Sequence, residues 1–251
     1  MLKRLIAKLE IKNKSVVKGL QMEGVQVVGD PVELAKRYYE EGADELILLD
    51  TVASLYQRVE LPSIISSILE DTFVPICAGG GVNSIDQAEL LFRSGADKVC
   101  VNTGAIKNPS ILRALADRFG SQSIVSQIDV KYYRGQYMVF TNSGRDLSDY
   151  NLIEWLLIVQ EQGIGEVLLT SIDKDGLSKG ADAALIKAAM PHCYVPLIYG
   201  GGVRDCSDIA ISYDNGADGC AVASAFHFGD LSIAGAKDEL AKKGFQMRLQ
   251  P

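Results

Sequence analysis

The chain contains two similar stretches of sequence, and they stand 121 positions apart (74 to 195). The segments VPICAGGGVNSIDQAELLFRSGADKVCVNTGA (74–105) and VPLIYGGGVRDCSDIAISYDNGADGCAVASAF (195–226) share a proline, three consecutive glycines and a Gly-Ala-Asp triplet in one register. The same shift relates Glu45 to Glu166. A solenoid repeat has a period of about 20 to 50 residues. The longer unit here indicates a fold built of two related halves.

Short apolar runs typical of buried parallel strands alternate with segments of helical spacing. A helical example is 30–43, where Asp30 and Pro31 form a start signal. The predicted strands are 5–11, 45–50, 74–80, 98–103, 124–130, 166–171, 195–201 and 219–224. Eight strand and helix units in two similar halves predict a (β/α)8 TIM barrel, formed as one domain over 1–251 with a half-barrel seam near residue 121. A doubly wound sheet is the alternative fold, but it requires no symmetry between halves.

The composition is typical of a globular protein with a full core, at 251 residues, 47% hydrophobic and 23% charged. The net charge of -7 disfavours a nucleic-acid surface. No apolar run reaches the roughly 20 residues of a membrane span and no signal peptide is evident, so we expect no membrane association and a cytoplasmic protein. Five cysteines without CxxC spacing and only two histidines predict neither a disulfide framework nor a metal site. We expect no cofactor.

In such a barrel the chemistry lies at the carboxyl ends of the strands. Each GGG turn there offers backbone N–H groups that can approach a phosphate closely. The segments VNTGA (101–105) and VASAF (222–226) follow the two turns and can complete an anion-binding cup with further N–H groups and a hydroxyl. A tight turn requires glycine even without a ligand. Two such turns in symmetric register nevertheless predict a substrate with a phosphate at each end.

Two carboxylates, Glu10 and Asp129, end the first and fifth predicted strands. These strands stand opposite each other in an eight-stranded ring. Two carboxylates that face each other across a substrate suit general acid and general base roles if their environments separate their pKa values. The alternative is that one of them only pairs with Lys18 or Lys131.

Four charged residues stand at the other ends of the predicted strands, just before the first, second, fourth and sixth: Arg4, Glu45, Lys98 and Glu166. Charges at strand starts are usually solvated. The alternation of sign also allows a ring of ion pairs that closes the bottom of the barrel.

Motifs along essentially the whole chain resemble the family of imidazole glycerol phosphate synthase cyclase subunits. The matching segments are VVKG (16–19), GDPVELAKRYYEEGADELILLD (29–50), GGGV (79–82), SGADKVCVNT (94–103), DRFGSQSIV (117–125), EVLLTSIDKDG (166–176) and NGADGCAVASAFHFG (215–229). The resemblance implies a phosphate-binding barrel that is a lyase of histidine biosynthesis.

The resemblance further implies that a separate glutaminase subunit docks on the N-terminal face and supplies ammonia through a salt-bridged gate, matched by Arg4, Glu45, Lys98 and Glu166. The ammonia reacts with a bisphosphorylated ribulosyl aminoimidazole carboxamide nucleotide to give imidazole glycerol phosphate and an aminoimidazole carboxamide ribotide. Glu10 and Asp129 match the acid and base positions. The implied substrate- and phosphate-binding residues are Lys18, Asp50, Gly80, Gly81, Asn102, Thr103, Ser171, Asp175, Gly176, Gly201, Gly202, Ala223 and Ser224.

The chain departs from the family pattern around the predicted site. Glu10 stands in LEIK where the family has an aspartate in CLDVK, which adds a methylene to a proposed proton-transfer residue. Gln21, Gln127, Leu177 and Tyr199 also differ from the usual residues, and we expect all four to line the mouth of the site.

These departures, with Leu55 and Tyr56 in DTVASLYQR (50–58), leave an alternative function open. The chain also resembles paralogues that channel ammonia from a glutaminase for acetamidino-sugar formation in O-antigen and other surface-polysaccharide biosynthesis. A third candidate is the related ribonucleotide isomerase of the histidine pathway, which uses two barrel aspartates and no ammonia. The four residues that match the gate disfavour the isomerase.

Overall fold

A computed structural model describes residues 2–53 and 60–248. Its strands are β1 (Arg4–Lys12), β2 (Ser15–Leu20), β3 (Glu23–Gly29), β4 (Glu45–Asp50), β5 (Ile76–Gly79), β6 (Lys98–Val101), β7 (Ile124–Tyr133), β8 (Gln136–Thr141), β9 (Asp146–Asn151), β10 (Glu166–Ser171), β11 (Leu197–Gly200) and β12 (Gly219–Val222). Its helices are α1 (Pro31–Glu40), α2 (Leu61–Ile68), α3 (Ile85–Arg93), α4 (Thr103–Lys107), α5 (Ser110–Phe119), α6 (Leu152–Glu161), α7 (Ala183–Ala189), α8 (Cys206–Asp214), α9 (Ser224–His227) and α10 (Ile233–Lys242).

Eight parallel strands form a closed barrel in the order β1, β4, β5, β6, β7, β10, β11 and β12. The ring closes where β12 pairs with β1, with Arg4 opposite Gly219 and Ala7 opposite Val222. These are the eight strands that the apolar runs predict, so the (β/α)8 fold is confirmed. We propose that the half-barrels meet near residue 121, where a short 3-10 turn (Ser121–Ser123) leads into β7.

The helices cover the outside of the barrel, and the start signal predicted for α1 is present as a helix cap. Asp30 caps α1, because its Oδ1 accepts hydrogen bonds from the backbone N–H groups of Val32 and Glu33 at 2.8 and 3.1 Å. The main core lies between the sheet and this helical layer, and it includes the buried rings of Tyr38 and Trp155. No helix among the described residues is long and apolar enough to cross a membrane. The cytoplasmic location stays a prediction.

Two antiparallel hairpins, β2–β3 and β8–β9, extend from the carboxyl ends of β1 and β7. They occupy equivalent positions in the two halves. The predicted strand list does not include them, because their outer strands alternate little between apolar and polar residues. The hairpins stand at the end of the barrel where the predicted site lies.

The last helix is tied back to the start of the barrel by a buried ion pair. Lys237 of α10 donates to Asp44 Oδ1 at 2.6 Å, and Asp44 Oδ2 accepts from the backbone N–H of Leu5 in β1 at 2.8 Å. The two charged side chains are 4% and 6% exposed. One carboxylate therefore joins the first strand to the last helix.

We expect Lys237→Met to lower the free energy of unfolding by about 3–5 kcal/mol, because it leaves the Asp44 carboxylate buried without its cation. Urea unfolding followed by Trp155 fluorescence measures the loss. The matched control is Lys36→Met, since the ion pair of Lys36 with Asp71 lies in solvent and its removal should have no measurable effect. Equal midpoints for the two variants would contradict the prediction.

Candidate functional site

The carboxyl ends of the barrel strands surround two neighbouring cavities. The first is about 930 Å³ with its opening to solvent included. It is lined by the predicted residues Glu10, Asp50, Gly80, Gly81, Asn102, Thr103 and Asp129. The second is about 310 Å³ on the same measure and is lined by the predicted residues Lys18, Asp175, Gly176, Gly201, Gly202, Ala223 and Ser224. The predicted site residue Ser171 lines neither cavity, and its hydroxyl donates to Asp182 Oδ2 at 3.1 Å.

Each cavity contains one glycine turn, and the two turns have the same geometry. Gly80 and Gly201 have φ angles of 110° and 108°, and a Cβ on either would come within 2.3 or 2.6 Å of the backbone oxygen of Asp50 or Ser171. A side chain at these positions would collide with the neighbouring strand, so the turn requires glycine at both. We call Gly80 and Gly81 with Thr103 the first cup, and Gly201 and Gly202 with Ser224 the second cup.

Each hairpin contacts the other half of the chain at or beside its cup. In β2–β3, the Gln21 N–H donates to the backbone oxygen of Asp175 at 2.8 Å, in the second cavity. In β8–β9, the Asn142 N–H donates to Thr103 Oγ1 at 3.0 Å, in the first cup. The hairpin of the first half thus contacts the loop beside the second cup, and the hairpin of the second half contacts the first cup. Met22 and Val25 of the first hairpin also line the first cavity.

Asp129 lies in the first cavity and is hydrogen-bonded by neutral amides. Gln127 Nε2 is 3.0 Å from both carboxylate oxygens, and Asn102 Nδ2 donates to Oδ2 at 2.6 Å. Burial raises the pKa of Asp129 to about 6, although the Gln127 amide and the Lys8 ammonium oppose that shift. This carboxyl group can therefore hold or release a proton close to neutral pH.

Glu10 faces Asp129 from the opposite strand but has charged partners. Lys18 Nζ is 2.7 Å from Oε2 and Lys8 Nζ is 2.8 Å from Oε1. Lys18 also contacts Asp175 Oδ2 at 2.8 Å. Burial alone would raise the pKa of Glu10, but Lys18 and Lys8 outweigh it and hold that pKa well below its ordinary value. The pairing with Lys18 that the sequence allowed is present, and Glu10 is ionised at neutral pH.

The four charged residues at the opposite end of the barrel form a closed ring of ion pairs, which we call the charged ring. Arg4 contacts Glu45 at 2.9 Å and also pairs with Glu166, and Lys98 contacts Glu45 and Glu166 at 2.9 and 2.8 Å. Burial raises the pKa of Glu45, although Lys98 opposes that shift. The ring contains two cations and two anions, so its charges balance.

Between the charged ring and the first cavity, the interior of the barrel is apolar. Every barrel strand contributes at least one buried side chain to this cluster, which consists of Ile6, Ile47, Leu49, Cys77, Cys100, Val125, Leu168, Ile198 and Ala221. Cys100 also lines the first cavity and contacts Gln127 Oε1 at 3.7 Å. A continuous line of side chains therefore joins the charged ring to the cavity that contains Asp129.

Of the four departures expected at the mouth, Gln127 lines the first cavity. The expectation for Tyr199 is wrong. Its ring is fully buried in the outer core, and its hydroxyl donates to the Gly201 oxygen at 2.7 Å and accepts from the Asp182 N–H at 2.7 Å. Its neighbour Ile198 points into the barrel, and successive residues of a strand point to opposite faces.

The other two departures lie away from the cavity walls. Gln21 is exposed on its hairpin and Leu177 is half-buried, and neither belongs to the described lining of the two cavities. Leu55 and Tyr56 lie outside the described residues.

Several residues that line the cavities were missed from the sequence, and three of them are cations: Lys8, Lys12 and Arg145. Lys8 is 2% exposed and lines both cavities, and Arg145 lines the first cavity from the β8–β9 hairpin. The signal for Lys8 was present, because a lysine stands inside an otherwise apolar strand, two residues before Glu10 and on the same face. Within residues 2–53 and 60–248, no three His, Cys, Asp or Glu side chains are grouped as metal ligands.

Comparisons with known proteins give one consistent similarity. A family model described as "Histidine biosynthesis protein" matches residues 4–232. Curated relatives named "Imidazole glycerol phosphate synthase subunit HisF" include those of Pyrococcus furiosus, 39% identical over 247 residues, and Pyrobaculum aerophilum, 42% identical over 248 residues. The relative of the same name from Myxococcus xanthus is 41% identical over 247 residues. Each match covers 98% of this chain and 98% of the relative.

We expect the Asp129 carboxyl group to titrate with a midpoint of about 6, and Gln127→Leu to move that midpoint upward. The removed hydrogen bond to a charged group is worth about 1.5–3 kcal/mol, which corresponds to roughly one to two pKa units. Carbon-13 NMR of labelled aspartate measures both values. Gln136→Leu, at an exposed hairpin position, is the control and should leave the midpoint in place. A midpoint that Gln127→Leu does not change would contradict the prediction.

Proposed function

The chain belongs to the histidine biosynthesis protein family, and from this premise we propose that it is the ammonia-using cyclase subunit of an imidazole glycerol phosphate synthase. Its reaction would join ammonia to a bisphosphorylated ribulosyl aminoimidazole carboxamide nucleotide and release imidazole glycerol phosphate and the aminoimidazole carboxamide ribotide. The observation that carries the proposal is the alignment of three features along the barrel: the charged ring, the apolar interior, and a cavity with Asp129 between two cups.

The two cups support a substrate with a phosphate at each end. They belong to opposite halves of the barrel, and each offers glycine backbone together with a hydroxyl residue, Thr103 or Ser224. Backbone N–H groups in such turns bind phosphate oxygens without side-chain charge. The reacting part of the substrate would then lie between the cups, next to Asp129 and Glu10.

The charged ring and the apolar interior support the entry of ammonia from the opposite end. Neutral ammonia crosses an apolar interior far more readily than ammonium, because transfer of an unpaired charge out of water is costly. The ion pairs of Lys98 and Arg4 must part to open the ring. We therefore assign the ring to the admission of ammonia and the interior cluster to its passage.

We propose that a glutaminase subunit docks around the charged ring. Two exposed aromatic side chains, Phe73 and Tyr194, stand 80% and 76% exposed just before β5 and β11, at positions related by the duplication. Leu2, 51% exposed, borders the ring on the same face. Exposed aromatic and aliphatic side chains around a polar centre are typical of a protein interface.

In the proposed chemistry Asp129 transfers the proton. When ammonia adds to the keto carbon of the ribulosyl group, the nitrogen must lose a proton and the former keto oxygen must gain protons before it leaves as water. An ionised carboxylate with a pKa of about 6 is suited to accept the proton from nitrogen and return it to that oxygen. Glu10 is ionised and held between two lysines, so it is unsuited to donate a proton at neutral pH. We assign it the role of orienting Lys8 and Lys18.

The function in acetamidino-sugar formation receives no support from the described structure beyond the altered residues around Glu10. The relatives reported above bear the name of the synthase subunit. The charged ring disfavours the ribonucleotide isomerase function, because a reaction without ammonia does not need a gate for ammonia.

We expect the isolated chain to convert the bisphosphorylated nucleotide when ammonium salt is supplied, and Asp129→Asn to lower kcat by about 10²–10⁴-fold, the usual contribution of a general base. At a constant concentration of free ammonia, kcat/KM should rise with pH around a midpoint of about 6, because the ionised form of Asp129 is active. Loss of substrate absorbance measures turnover. Asp71→Asn, an exposed aspartate, is the control. A folded wild-type chain without turnover would refute the proposal.

For the charged ring, we expect Lys98→Met to lower the ratio of glutamine-supported to ammonium-supported turnover by roughly tenfold, equivalent to 1.4 kcal/mol. The substitution leaves Arg4 alone between Glu45 and Glu166 and changes the opening that ammonia must cross. Both rates are measured on the complex with its glutaminase. Lys98→Arg keeps the charge and should preserve more of the ratio, and an unchanged ratio in Lys98→Met would contradict the assignment.

A further inference from the structure

A buried lysine lies in the middle of β1, between the apolar side chain of Ile6 and the carboxylate of Glu10. Lys8 stands between Ile6 and Glu10 on the interior face and is 2% exposed. A buried ammonium group is costly unless it is paired and hydrogen-bonded. Its contact with Glu10 Oε1 at 2.8 Å supplies one acceptor, and an ammonium group has three N–H donors.

Lys8 occupies a unique position with respect to the two cavities. Among the described residues, it alone belongs to the lining of both. The first cup opens on one side of it and the second cup on the other. Any single molecule with a phosphate in each cup must therefore pass the Lys8 ammonium group with the atoms that link its phosphates.

The surrounding charges leave this ammonium group available to a ligand. Both oxygens of Glu10 are taken, one by Lys8 and one by Lys18, and Lys18 also contacts Asp175. Lys8 and Lys18 balance Glu10 and Asp175, and Asp129 is a further carboxylate whose charge acts on Lys8. Glu10, which is longer than aspartate, reaches both lysines at 2.7 to 2.8 Å.

We propose that Lys8 is a specificity-determining residue that binds the hydroxyl and keto oxygens of the open-chain ribulosyl group, which lies in the chain of atoms between the two phosphates. The inference rests on the proposed function, since it takes the bisphosphorylated ribulosyl nucleotide as the ligand. Lys8 thereby makes affinity depend on one molecule that fills both cups, and it discriminates against two separate phosphates. Glu10 acts on the ligand through Lys8, as a positioning residue.

The test is the binding of two probes, the bisphosphorylated ribulosyl nucleotide and inorganic phosphate, measured by calorimetry at constant ionic strength. We expect Lys8→Met to weaken nucleotide binding by about 10- to 100-fold, the usual effect of losing a charge-assisted hydrogen bond. Binding of inorganic phosphate should change by less than about twofold, because the cups are built of backbone. Lys14→Met, in the exposed β1–β2 turn, controls for net charge and should behave as wild type.

A second variant separates ligand binding from charge compensation. If Lys8 only neutralised Glu10, then Lys8→Met combined with Glu10→Gln would restore wild-type affinity for the nucleotide. We expect the double variant to bind as weakly as Lys8→Met. Because the double variant keeps the interior neutral, its comparison with Glu10→Gln gives the same test if Lys8→Met alone fails to fold.

The outcomes distinguish this inference from the proposed function. Nucleotide binding that is unchanged in Lys8→Met, or restored in the double variant, overturns the role of Lys8 even if the wild type turns over the substrate. Lys8-dependent binding without turnover supports the role of Lys8 and refutes the cyclase activity. A wild-type chain that binds the nucleotide no better than inorganic phosphate overturns the inference directly.

Discussion

The pairing of β1 with β12 is the constraint on which the remaining structure depends. It joins residues 4–7 to 219–222 and removes the two free edges that an open sheet of eight strands would have. The junction needs a small residue, because a Cβ on Gly219 would come within 3.2 Å of the side chains of Ile6 and Ile198. Once the ring is closed, alternate residues of every strand must face one shared interior. The register of the strands then determines which interior side chains lie at the same height along the barrel axis.

Charged side chains lie at both ends of that interior, and at each end positive and negative side chains pair with each other. The charged ring pairs two cations with two anions, and at the other end Lys8 and Lys18 pair with Glu10 and Asp175. Asp129 is the contrast, because its closest hydrogen-bond donors are the neutral amides of Gln127 and Asn102. The pKa values of the two carboxylates at facing strand ends thus differ for a simple reason, which is whether their hydrogen-bond partners carry charge.

The sequence predicted the parts of the molecule that obey periodicity and duplication. The eight strands and the two glycine turns follow from apolar runs and from one offset between the halves, whereas the charged ring was implied by the family resemblance. The prediction for Tyr199 was wrong because it was based on the short distance along the chain to the GGG turn. Strand alternation puts the Tyr199 side chain on the outer face of β11, since that of Ile198 faces the interior.

Strand alternation puts Lys8 on the same face as Glu10, but neither its position between the two cavities nor the hairpins follow from periodicity. The pairing of Lys8 with Glu10 depends on side-chain reach inside a closed ring, and its place between two cavities exists only when both halves are assembled. The hairpins have exposed outer strands, and their turns place several non-glycine residues in the left-handed region, including Gln21 and Asn142. Such turns leave no strong pattern in one sequence.

The crossed arrangement of the hairpins has a consequence for how the two halves depend on each other. The N–H of Gln21 reaches Asp175, and the N–H of Asn142 reaches Thr103, so each half supplies a hairpin contact beside the other half's phosphate turn. The first hairpin also serves its own half, because Met22 and Val25 line the first cavity. A half expressed alone would lack the contact that the other half's hairpin makes beside its turn. Because both halves belong to one polypeptide, a substitution in the hairpin of one half changes the surroundings of the phosphate turn in the other half. The two halves must therefore evolve together.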